Sequence, residues 1–143
     1  MLPERVINHC NKMNIKINLL SKGEREEFAK KYNIVHKESS FVDFFASLDF
    51  IPVGDGVEIQ EIDLTDEELS LFDDFIVLGS GDSGTLVYFK KTDEVKAYPS
   101  IFLINDSLKD LGEPENSWGT FSDFLEHYYN DEFLKWYYQN IIN

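Results

Sequence analysis

Apolar positions recur with a helical period in the first and last thirds of the chain and with a strand period between them. Near the start, Val6, Ile7, Cys10 and Met13 fall at helical spacing behind Pro3, whose missing amide costs nothing in a first turn, so a helix is predicted over 2–13. Ser21-Lys22-Gly23-Glu24 has the Ser-x-x-Glu form in which side chains and backbone amides cap one another, predicting a second helix that continues to about Asn33. Ser40 is the expected cap of a third, in which Phe41, Phe44, Phe45 and Leu48 form an apolar stripe facing the core.

Pro52, Gly54 and Gly56 break that pattern and mark a loop. Val57, Ile59, Ile62 and Leu64 then alternate with one slip, as in a half-buried strand with a bulge or bend. Thr65-Asp66-Glu67-Glu68 repeats the capping form and predicts a short helix to about Phe72. The runs DFIVLG, TLVYFKK, EVKAY and IFLIN predict four strands in an antiparallel meander, with KKTDE as a hairpin turn and Pro99 bending the last pair or placing it at an edge.

KDLGEPENSWG reads as a polar loop, and Thr120 caps a C-terminal helix with Phe121, Phe124, Leu125 and Tyr128 on one face. Asn130-Asp131 is its natural break point. Beyond it the aromatics Tyr129, Phe133, Trp136, Tyr137 and Tyr138 spread around the axis, which puts some of them at the surface or under a partner. The predicted fold is α+β: an antiparallel or mixed sheet of four to six strands, flanked by N-terminal helices and a long C-terminal helix, in one domain spanning 1–143.

Composition agrees with one packed domain, because 143 residues with 43% apolar and 15% aromatic content supply a core for one domain and too little chain for two. No run approaches the roughly 18 to 20 apolar residues that cross a bilayer. The N-terminal stretch is charged by its fourth residue, unlike a secretion signal, so a cytosolic location is expected. Cys10 is the only cysteine, which excludes an internal disulfide and suits a reducing compartment.

The stretch VLGSGDSGTLVYF holds two motifs of catalytic and cofactor chemistry. Gly79, Gly81 and Gly84 match the G-x-G-x-x-G dinucleotide fingerprint, but that loop works only when it feeds a helix whose amides face a pyrophosphate, and TLVYF favours a strand. Gly81-Asp82-Ser83-Gly84 matches the surroundings of the trypsin-like serine nucleophile, and His36 stands upstream in the required order, yet the chain is far shorter than those two-barrel enzymes and opens with helices. The remaining reading is a glycine-rich turn of a β-hairpin. His9, His36 and His127 are scattered, no zinc spacing occurs, and Asp63, Asp66, Glu67 and Glu68 lack the central glycine of a calcium loop. No catalytic residues, metal or cofactor are expected.

The net charge of −14 is unevenly spread. Residues 1–37 carry +4, residues 38–89 carry thirteen acids and no Lys, Arg or His, and residues 90–143 carry −5. Such a chain repels nucleic-acid phosphates and anionic lipid, which excludes both as partners, while a basic protein is steered towards it.

Several of these features together resemble the SUKH superfamily, which includes fungal cell-wall glucan-synthesis regulators and many bacterial immunity proteins. They are Leu2-Pro3-Glu4 opening a helix that ends near NKMN, Gly81-Asp82 leading into Leu86 to Phe89, and Thr120-Phe121 with Phe124-Leu125 in WGTFSDFLEHYY. The resemblance implies an α+β fold with a sheet flanked by helices, no catalytic residues, and one of two roles. The first is a cytosolic immunity-type protein that covers the active surface of a toxin, often a nuclease; the second is a regulatory scaffold like the fungal members. With the acidic segment, the first reading makes Asp63, Asp66, Glu67, Glu68, Asp73, Asp74 and Asp82 the expected charged contacts, and Tyr88 and Trp118 the expected aromatic anchors.

Overall fold

The computed structural model describes residues 1–62, 74–81, 84–99 and 113–142. Among them are five α-helices and a four-stranded antiparallel sheet, an α+β architecture. The helices are α1 (Glu4–Lys12), α2 (Lys22–Lys31), α3 (Ser40–Ser47), α4 (Phe121–Tyr128) and α5 (Asp131–Tyr137), and a π-helical turn over Tyr138–Ile142 follows. The strands β1 (Phe75–Gly81), β2 (Gly84–Phe89), β3 (Glu94–Tyr98) and β4 (Asn116–Thr120) lie side by side in chain order.

Local chemistry accounts for the helix ends. Ser21 and Glu24 form the reciprocal capping box at α2, and Thr120 forms one with Asp123 at α4. The cap of α3 is Ser39 rather than Ser40: the Ser39 hydroxyl accepts from the Phe41 amide at 3.0 Å, while the Ser40 hydroxyl donates to the Met1 carbonyl. Asn14 and Asn33 stand just beyond α1 and α2 with φ of 59° and 56°, the left-handed turn that releases the chain from a helix. The C-terminal helix divides at the expected Asn130-Asp131 into two short ones, because the Asn130 side chain accepts from the Phe133 amide and starts α5 anew.

The sheet departs from the sequence-based expectation at both ends. The fourth strand, β4, lies inside the stretch read as a polar loop, where Ser117 and Asn116 pair with Lys96 and Ala97 of β3. Half-exposed edge strands need little apolar content, so hydropathy missed it. The expected strand IFLIN and the expected helix at Thr65 lie outside the described residues. Residues 57–62 are not a regular strand; they run against β1 with one ladder-like bond, from the Gln60 amide to the Leu78 carbonyl at 3.0 Å.

The core forms where α3 and α4 meet the sheet. Phe41 of α3 stacks on Tyr88 of β2 with ring centroids 4.1 Å apart, and the Phe121 ring of α4 meets both edge-on. Val6 and Cys10 of α1, Phe44 of α3, and Phe124 and Leu125 of α4 complete this interior. Among the described residues no helix is long and apolar enough to cross a membrane.

Candidate partner-binding surface

The glycine-rich stretch is a hairpin. Gly81 pairs with Gly84 across β1 and β2, and Gly84 opens a strand, so the glycines do not feed a helix. Gly79 has another use: a Cβ there would lie 1.9 Å from the Glu58 carbonyl oxygen, so its absence lets residues 58–60 cross closely over β1. His36 lies elsewhere, bonded to the Lys91 carbonyl at 2.6 Å.

Cys10 and His9 are enclosed. Burial pushes the Cys10 thiol up to about 11, which keeps it a neutral, unreactive thiol at physiological pH. Burial lowers the His9 pKa, with a backbone group of Val53 partly offsetting it, and the ring sits among Tyr129, Tyr137 and Tyr138. Among the described residues no three His, Cys, Asp or Glu side chains gather to hold a metal.

Of the contacts expected from sequence, Asp63, Asp66, Glu67, Glu68, Asp73 and Asp82 lie outside the described residues. Asp74 is exposed but paired within the chain, 3.1 Å from the Lys91 ammonium. Tyr88 cannot anchor a partner: it is fully buried, its ring on Phe41 and its hydroxyl donating to Asp93 at 2.6 Å. The β-alternation around it showed a strand, but β2 is covered on both faces, so no side chain of Leu86 to Tyr88 reaches solvent. Trp118 is half-buried on β4, stacked on His127 at 3.9 Å, with its indole nitrogen buried and lacking a hydrogen-bond partner among the described residues. Asp74 precedes β1 and Trp118 belongs to β4, at opposite edges of the sheet, three strand spacings or about 14 Å apart.

Among the described residues the structure gathers carboxylates that were not among the expected contacts. Glu24, Glu27, Phe28 and Lys31 occupy one face of α2, at i, i+3, i+4 and i+7, and line an open groove with Leu20, Phe45, Ala46, Glu61 and Ile62. A second groove adjoins it at Phe45 and Glu61 and continues past Leu48, Asp49, Phe50 and Glu58. The Tyr32 hydroxyl, donating to the Ile62 carbonyl at 3.0 Å, ties the end of α2 to the far wall. On the near side Ile17 and Leu48 form an isolated antiparallel bridge, and the adjacent Leu19 and Phe50 stand 96% and 74% exposed.

This face is both apolar and negative. Among the described residues, five carboxylates, Glu24, Glu27, Asp49, Glu58 and Glu61, line the two grooves against one cation, Lys31, which lies over the Tyr32 ring at 5.1 Å. Glu24 completes the α2 capping box and Asp49 accepts from the Asn18 amide group at 2.8 Å. Glu27, Glu58 and Glu61 are exposed and form no ion pair among the described residues. Arg25 of α2 is engaged elsewhere: it donates to Asp43 of α3 and to the Lys37 carbonyl.

Set against known proteins, the chain matches no family model, no curated protein and no solved structure.

Proposed function

We propose that this chain is a non-catalytic protein-binding domain that neutralises a basic, nuclease-type toxin, in the manner of the SUKH immunity proteins its motifs resemble. The observation that carries this reading is the apolar, carboxylate-lined face made by α2, α3 and residues 48–51 and 58–62, where five acids stand against one cation among the described residues. Desolvated apolar contacts supply affinity, while uncompensated carboxylates around them accelerate encounter with a basic surface and reject acidic ones. A nuclease whose active surface attracts phosphates is a partner of that charge.

The test is association with a toxin, sought first among the products of the neighbouring genes. Co-expression should rescue growth, and the purified proteins should associate at a rate that falls as salt rises. Reversing Glu27, Glu58 and Glu61 to lysine should slow that rate at least tenfold. An association rate unchanged by the reversal rejects the acidic-face mechanism. Recovery of wall-synthesis or signalling proteins in place of a toxin replaces the reading with the regulatory one.

A further inference from the structure

Resting on the protein-binding reading above, we infer that the groove between α2 and residues 58–62 takes a short amphipathic helix of the partner, with an apolar stripe flanked on both sides by lysine or arginine. The groove has an apolar floor, Leu20, Phe28 and Phe45, running between two walls that each carry a carboxylate with no ion pair among the described residues. One wall is α2, with Glu27; the other is the 58–62 stretch, with Glu61, and Glu58 lies where the neighbouring groove continues from it.

Charge on both walls distinguishes among possible occupants. An extended segment sends alternate side chains to opposite faces, so when its apolar side chains enter the floor its bases point back to solvent. A helix with apolar residues at i, i+3, i+4 and i+7 places its flanking positions to the left and right of the stripe, so bases there meet both walls. An acidic or neutral helix would leave the carboxylates unanswered, and a flat basic patch would leave the floor empty. The floor is also continuous with exposed apolar surface at Phe50, so the buried stripe can extend beyond the groove proper.

The probe is a synthetic 18-residue peptide of leucine, phenylalanine, lysine and arginine in that helical arrangement, titrated into the isotope-labelled full chain and followed by amide chemical shifts. Its control is the same composition reordered so that no apolar stripe forms. The arranged peptide should shift Leu20, Phe28, Phe45 and Glu61, saturate, and bind at least tenfold more tightly than the reordered one. The variant E27K/E61K should lose at least tenfold in affinity while keeping the same melting temperature, since both side chains are exposed. Equal affinity for the two peptides, or shifts centred on another face, would overturn the groove assignment and leave the protein-binding reading standing if the toxin still binds. Failure of both peptide and toxin to bind would remove both.

Discussion

Asp93 joins three parts of the molecule through one side chain and one carbonyl. It sits in the β2–β3 turn at φ 59°; its carboxylate accepts from the Tyr88 and Ser39 hydroxyls, and its carbonyl accepts from the Phe121 amide at 2.9 Å. The turn thereby holds the start of α3 and the start of α4. Replacing it with alanine leaves the buried Tyr88 hydroxyl without its acceptor and puts a Cβ without a compensating polar group in the left-handed region. D93A should cost about 2–4 kcal/mol in urea unfolding, whereas D93N, which keeps an acceptor oxygen and tolerates that backbone, should cost less than half as much. Equal losses would show that the bonds matter less than the charge. His9 gives a pH dependence. Its folded pKa lies below the ordinary 6.5 because burial disfavours the imidazolium, so below pH 6.5 the unfolded chain takes up the proton first. Stability should therefore be fully present above that pH and fall as pH drops from it towards the lowered folded value. The wild-type minus H9F difference in unfolding free energy should slope across that window and be flat above it. A flat difference throughout would place His9 in a polar environment. Both effects depend on neighbours more than fifty residues away in at least one contact, Ser39 for Asp93 and Tyr138 for His9, and neither sequence neighbourhood advertises them.

At the scale of elements, helices were more legible than strands. Caps are local: Ser21 with Glu24 and Thr120 with Asp123 lie three residues apart, so the sequence shows both partners at once. The first three strands were visible because central strands are rich in β-branched and aromatic side chains. β4, Asn-Ser-Trp-Gly-Thr, was not, since it owes its form to pairing with β3 rather than to its own composition. Gly79 shows the same limit within a strand that was found. Its glycine was readable, but the reason, a backbone crossing at Glu58, is tertiary. G79A should lose about 1–3 kcal/mol in thermal unfolding because the Gln60–Leu78 bond cannot survive the displacement, whereas G23A, on the exposed side of α2 with only the Ser21 hydroxyl at 3.9 Å, should gain about 0.5–1 kcal/mol. Matching effects at the two sites would reject the close-approach account.

Across the whole molecule, charge counted along the chain does not say which carboxylates share a face. Residues 1–37 are net basic, yet α2 turns Glu24 and Glu27 onto the same face as Asp49, Glu58 and Glu61 and sends Arg25 inward to Asp43. A linear tally averages over helix faces three to four residues apart, and so it placed the acidic surface only in the central segment. Tyr88 illustrates the converse, since an aromatic on a strand is an interface anchor or a core residue according to what packs on the sheet, and here α3 covers it. The sequence alone determined the α+β class, the capped starts of α2 and α4, the hairpin at the glycine-rich stretch and the negative charge, because these follow from period, caps and composition within a few residues. Only the tertiary structure decided which carboxylates share a face, which aromatics are buried and where the fourth strand runs, because those properties belong to pairs of segments that are distant in the chain and adjacent in space.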